Sequence, residues 1–179
     1  DTGYPGMKVL EFAFGSVEED SDYLPHRYSP HCVVYAGTHD NDTIQGWMVS
    51  APRNETEFAK EYLRLTKREG YHWGMMRSAW ASPADLAVMQ MQDVLGLGSE
   101  ARINIPSTLG GNWTWRMLPG RCTLNLAKRL HREMKVYQRL PQTEKAGNLS
   151  QKRAENVRKE CPMSCPDAKS GKKLCGNLV

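Results

Sequence analysis

Four consecutive residues, His39-Asp40-Asn41-Asp42, put an imidazole, two carboxylates and an amide within one short turn of chain. Such groups donate and accept hydrogen bonds, move protons and stabilise developing charge. They follow Val33-Val34-Tyr35-Ala36-Gly37, an apolar run of β-branched and aromatic residues that a buried strand favours. Gly37 permits a bend or close backbone approach just before the polar cluster. The spacing therefore predicts a strand over 32–37 with the cluster at its C-terminal end, where parallel α/β architectures build their active sites. A second reading stands beside it: Asp-Asn-Asp is also ordinary turn chemistry, and Asp42 or Thr43 would cap a helix beginning near Ile44.

The elements that position this cluster can be read in order. Met7 to Phe14 is apolar and entered from Pro5-Gly6, which predicts a strand over 6–14. Gly15 to Pro30 reads as a loop with a Glu18-Glu19-Asp20 run. In it Tyr23, His26 and Tyr28 could line a carbohydrate cleft or pack the loop on itself. Between Glu55 and Glu69, Phe58, Ala59, Tyr62, Leu63 and Leu65 recur at near-helical spacing, an amphipathic helix that Gly70 should stop. His72 to Trp80 reads as a further helix whose Met and Trp side chains are core. Leu86 to Asp93 is ambiguous between strand and helix on periodicity alone. Leu95-Gly96-Leu97-Gly98 lacks the lysine and spacing of a nucleotide loop. Thr123 to Arg139 carries Leu124, Ala127, Leu130, Met134 and Tyr137 on one stripe, a terminal helix ended by Pro141.

Composition narrows the function classes. The chain has 179 residues and a formal charge of +4, but residues 144–179 hold eight Lys or Arg against four Asp or Glu. The other 143 residues hold sixteen of each, so no basic face on the body argues for nucleic acid. No apolar run approaches the roughly 20 residues that a membrane-spanning helix needs. Five cysteines, Cys32, Cys122, Cys161, Cys165 and Cys175, are an odd set without a disulfide framework, which suits a reducing compartment. Cys161-x3-Cys165-x9-Cys175 is wider than paired zinc ligands. A sequon at Asn41-Asp42-Thr43 would place a glycan in the proposed site, which again favours a non-secreted protein.

Thr38-His39-Asp40-Asn41-Asp42-Thr43, followed by Gly46-Trp47, resembles a signature block of the 4-alpha-glucanotransferases, glycoside hydrolase family 77, also called amylomaltases or disproportionating enzymes. Three further blocks agree in the same order. The longest is Ser99 to Arg116, a loop dense in Gly, Asn and Trp that is costly to keep without a use. The resemblance spans about residues 4–140.

That resemblance implies an α/β fold, the C-terminal portion of a (β/α)8 TIM barrel over residues 1–141, with Leu86 to Asp93 as its last strand. A polar tail over 142–179, expected to be disordered, would follow. A whole barrel takes about 250 residues, so the first strands are expected upstream of Asp1. The implied reaction cuts an α-1,4-glucosidic bond and passes the glucan to the 4-hydroxyl of another, with retention through a covalent intermediate. The family places its nucleophile and its acid/base on those earlier strands. Asp40 takes the role of the third carboxylate, the transition-state stabiliser, and His39 and Asn104 those of glucan-binding residues. No metal or organic cofactor is implied. The expected partners are malto-oligosaccharides and the missing strands, not nucleic acid or membrane, and the expected compartment is the cytoplasm or, in a plant, a plastid. The alternative is a glucan-binding or regulatory fragment without catalysis.

Overall fold

A computed structural model describes residues 3–15 and 21–141. The acidic run Glu18-Glu19-Asp20 and the tail 142–179, with Cys161, Cys165 and Cys175, lie outside the described residues.

Three parallel strands, β1 (Gly6–Val9), β2 (Cys32–Tyr35) and β3 (Leu86–Val88), form one sheet in the order β1-β2-β3. Met7 pairs with Val33 and Val9 with Tyr35; Val33 pairs in turn with Leu86 and Tyr35 with Val88. All three C-terminal ends thus sit at one edge of the sheet, at Val9, Tyr35 and Val88. Cys32 and Val34 are buried on one face, packed with Ala79 and Ala84. Met7, Leu86 and Val88 remain exposed.

The helices are α1 (Ile44–Ser50), α2 (Arg53–Tyr62), α3 (Tyr71–Ala81), α4 (Met91–Val94) and α5 (Leu124–Val136). Their main core gathers Leu10, Phe14, Ile44, Met75, Met76 and Trp80. Phe14 is central to it, with the rings of Trp47 and Phe58 at 5.8 and 5.9 Å.

Several expected boundaries are corrected. The first strand stops at Val9, and Leu10–Phe14 is a 3-10 helix. Leu10, Ala13 and Phe14, three and four residues apart, all point into the core, a helical spacing hidden inside an apolar run that also suits a strand. The helix expected over 55–69 is Arg53–Tyr62. It ends in a left-handed residue, Arg64 at φ 54°, whose successor Leu65 donates its N-H to the Lys60 carbonyl and buries its side chain. That is a Schellman-type stop without glycine. Gly70, at φ 93°, instead begins α3. The strand expected over Leu86 to Asp93 ends at Val88, and Asp93 lies in α4.

The terminal helix is confirmed, but the stripe it lays on the core is the partly buried Leu126, Leu130, Met134 and Tyr137, with Leu124 and Ala127 exposed. Arg139 fastens its end, donating to the carbonyls of Trp80, Ser82 and Ala84. Tyr28 is buried and donates to the Tyr23 carbonyl at 2.6 Å, while His26 meets the Tyr62 hydroxyl at 2.7 Å. Tyr28 thus packs the loop on itself, while His26 stays exposed.

Candidate active site

The chain leaves β2 through Ala36 and Gly37 into a turn that its own side chains close. Asn41 Oδ1 accepts from the Thr38 N-H at 2.9 Å and the Thr38 hydroxyl at 2.7 Å, and the Asn41 N-H donates to the Thr38 carbonyl. Gln90, between β3 and α4, donates its side-chain amide to the carbonyls of Gly37 (3.1 Å) and Thr38 (2.9 Å). The turn is therefore tied to the neighbouring strand as well as to itself. At its exit Thr43 Oγ1 accepts from the Gly46 N-H, capping α1, while Asp42 takes the Ser99 hydroxyl at 2.6 Å.

Asp40 stands at the crest of this turn with half of its side chain exposed. Asn104 Nδ2 donates to Asp40 Oδ1 at 2.6 Å, and His39 Nε2 lies 3.4 Å from the same oxygen. The three residues singled out from the sequence thus meet, although Asn104 is 64 positions away from Asp40. Arg102 joins them: its guanidinium donates to the Asp40 carbonyl at 2.6 Å and to the Asn104 carbonyl at 2.9 Å. The Trp113 ring stacks obliquely on His39, with centroids 4.9 Å apart.

The loop carrying Asn104 and Trp113 is held by local bonds. Ile105 N-H donates to Asn112 Oδ1 and Trp113 N-H to the Ile103 carbonyl at 2.8 Å. Trp113 has φ 62° and Ser107 φ 63°, a left-handed backbone that ordinary residues rarely adopt. Such conformations persist where the surroundings fix them, and they gather at functional sites.

Behind the turn lie two buried carboxyls. Asp93 Oδ1 accepts from the Ile44 N-H at 2.7 Å, a second cap on α1 from another element, and Oδ2 has no partner. Burial pushes its pKa up to about 6, against that bond and with help from Asp42. Glu11, 4% exposed, is pushed up to about 9, first by burial and then by Asp93 and Asp42. Each group binds a proton in the folded state at pH values where the unfolded chain has released it. Stability contributed by this protonation is therefore lost as pH rises, through about 6 for Asp93 and about 9 for Glu11. We expect the urea midpoint to fall between pH 6 and 8.5 and Glu11→Gln to flatten that fall; an unchanged slope in the variant would contradict the assignment.

Asp93→Ala is expected to cost about 1–3 kcal/mol, because it strands the buried Ile44 N-H, and Asp93→Asn to cost less, because it keeps the acceptor. Chemical denaturation of both variants measures this; equal losses would mean that the cap contributes nothing.

Sequence reasoning did not single out Arg102, Gln90 or Glu11 as individual residues. Arg102 lay within the loop already noted for its composition. Gln90 sat in the ambiguous segment. For Glu11 the signal was one acid inside Val9-Leu10-Glu11-Phe12-Ala13-Phe14.

A parallel sheet whose C-terminal edge gathers a carboxylate, an imidazole, an amide and an indole defines an α/β protein with its polar groups where such folds place their sites. Comparison with known proteins narrows the class. The family described as 4-alpha-glucanotransferase matches residues 1–122. The chain is 50% identical over 139 residues to a 4-alpha-glucanotransferase of Clostridium butyricum, covering 77% of this chain and 28% of that protein. To the chloroplastic/amyloplastic 4-alpha-glucanotransferase of Solanum tuberosum it is 45% identical over 139 residues, 76% of this chain and 24% of that one. The amylomaltase from Streptococcus agalactiae in complex with acarbose superposes with a TM-score of 0.73 at 35% identity, over 76% of this chain and 28% of the other. The chain belongs to the 4-alpha-glucanotransferase family, glycoside hydrolase family 77. It spans about a quarter of the length of these relatives.

Proposed function

We propose that this chain supplies the Asp40 side of the active site of a 4-alpha-glucanotransferase, which moves α-1,4-glucan segments between malto-oligosaccharides with retention. The observation that carries this reading is the convergence of His39, Asp40 and Asn104 on one carboxylate oxygen at the C-terminal edge of the sheet. Asp40 is the transition-state stabiliser. In a retaining transfer the anomeric carbon gains positive charge as the glycosidic bond breaks, and a carboxylate held at the sugar hydroxyls favours that distorted, cationic ring. His39 and Asn104 bind the glucan. The Asn104 amide both accepts and donates, so it bridges Asp40 and a sugar hydroxyl together.

The sheet is proposed to continue into a (β/α)8 barrel, whose other strands would hold the nucleophile and the acid/base. Parallel sheets are normally covered on both faces, and the exposure of Met7, Leu86 and Val88 suits a surface that further strands cover. The site residues named here all precede position 142, so residues 1–141 form the functional unit of the proposal. Among the described residues no helix is long and apolar enough to cross a membrane. The cytoplasm is the proposed compartment, with a plastid as the alternative if the source is a plant, as in the Solanum tuberosum relative. Neither nucleic acid nor membrane enters the proposal, and no cofactor is needed.

Acarbose, the ligand of the Streptococcus agalactiae amylomaltase, gives a direct test. In an enzyme containing this segment, Asn104→Ala is expected to weaken acarbose binding about tenfold or more in a calorimetric titration, through loss of a hydrogen bond to a buried polar ligand. Unchanged affinity would remove Asn104 from the binding surface.

A further inference from the structure

Beneath the site lies an acid to which the function proposed above gives no task. Glu11 is buried in the 3-10 helix that follows β1, its N-H donates to the Ala36 carbonyl, and its Oε1 has no hydrogen-bond partner. Its carboxyl occupies the room left by Gly37: a Cβ at that position would stand 2.9 Å from Oε1 and 3.1 Å from Oε2. The side-chain amide of Asn41 reaches the same carboxyl. Since Asn41 Oδ1 is taken by the Thr38 N-H and hydroxyl, the amide nitrogen is the group left to face Glu11. Thr38 Oγ1 in turn accepts from the Asp40 N-H at 3.3 Å.

We propose that Glu11 is a positioning residue which, from beneath Gly37, fixes Asn41 and through Asn41 and Thr38 sets the backbone that presents Asp40. It rests on the glucanotransferase reading only for what Asp40 does, not for the relay itself.

Burial, Asp93 and Asp42 hold Glu11 as the neutral acid, although the Asn41 amide by itself favours the carboxylate. The charged groups facing it are Asp93 from α4, Asp42 from the turn before α1 and Arg102 from the loop after Ser99–Ala101. Two acids against one base, in a buried space, leave no compensation for a third negative charge. Protonated, the carboxyl still offers its carbonyl oxygen to the Asn41 amide. Ionised, it repels Asp42 and Asp93, which both anchor the start of α1, and the turn must shift. Gly37 serves the same end by leaving the space the carboxyl fills; alanine there would press on it.

Two measurements test this. In the full 179-residue chain, NMR of the Thr38 and Asp40 backbone amides and of the Asn41 side-chain amide, followed from pH 6 to 10, should show one shared transition near pH 9, absent in Glu11→Gln. In an enzyme containing this segment, Glu11→Gln should keep kcat within about threefold and lose the fall in kcat on the alkaline side. Glu11→Ala should lower kcat about ten- to a hundredfold with a smaller change in KM, as expected when a transition-state group is misplaced. A flat NMR profile in the unmodified chain, a transition that survives in Glu11→Gln, or a glutamine variant as damaged as the alanine one overturns the proposal. The NMR result does not depend on glucan chemistry. A shared transition together with no glucan transfer by the unmodified enzyme would therefore fault the functional reading and leave the relay standing.

Discussion

Asp40→Asn, made in an enzyme that contains this segment, is expected to lower turnover about a thousandfold or more while leaving the melting temperature nearly unchanged. The amide keeps the size of the side chain and one oxygen for Asn104 Nδ2, so the turn has no reason to refold. What disappears, on the role proposed for Asp40, is the negative charge facing a ring that becomes cationic in the transition state. Because the loss is confined to the transition state, kcat should fall and acarbose affinity should change far less. His39→Ala should be milder, for it removes a donor beside Asp40 and a stacking partner of Trp113 while the charge remains. Steady-state kinetics with maltotriose measures both. Near-wild-type turnover in Asp40→Asn would reduce Asp40 to a turn residue.

The second large effect concerns the 179-residue chain by itself. Incubated with maltotriose, it is expected to release no glucose and build no longer oligosaccharide. Retaining transfer needs a carboxylate to form the glycosyl-enzyme bond and a carboxylic acid to protonate the leaving oxygen, across the scissile bond from one another. In the function proposed here both come from strands outside this chain. Glu11 and Asp93 cannot take their place, since each is buried beneath the turn rather than beside Asp40's exposed face. Adding a separately produced polypeptide with the remaining barrel strands should restore measurable transfer if the exposed sheet face and the edges of β1 and β3 are seams of one barrel. Glucose release by the lone chain that vanishes in Asp40→Asn would mean the carboxylate assignment is wrong.

Much of the site was legible in the sequence because it is local. Val33 to Asp42 is one strand and one turn; the strand expected over 32–37 ends at Tyr35, just before the change in polarity after Gly37. Type and place left Asp42 and Thr43 both open as the cap of α1, and the structure gives it to Thr43. Asn104 came from resemblance, since nothing in its neighbourhood tells that it would cross to Asp40. Its partner Arg102, which binds both backbones, was hidden for the same reason: contacts across 62 positions leave no local pattern.

The fold shows the same division. α3 and α5 were readable from their periodicity and from Thr123. The 3-10 helix after β1 was not, because Leu10 to Phe14 satisfies both periods; the structure decides it by burying Leu10, Ala13 and Phe14 and leaving Phe12 exposed. The stop of α2 escaped notice because arginine, not glycine, takes the left-handed position, stabilised by the burial of Leu65. Asp93 was expected at the end of a strand. It lies in α4 and caps α1, whose first N-H it reaches from 49 positions away.

The most direct measurement of the central claim is the product pattern of an enzyme containing this segment with maltotriose as the only substrate, followed by chromatography and by NMR of the anomeric protons. The account predicts glucose and maltopentaose in equal amounts at early times, with the new glycosidic bonds in the α configuration and the released glucose as the ordinary mixture of anomers, and loss of both products in Asp40→Asn. Glucose and maltose without longer chains, new glycosidic bonds in the β configuration, or a pattern indifferent to Asp40→Asn would contradict it.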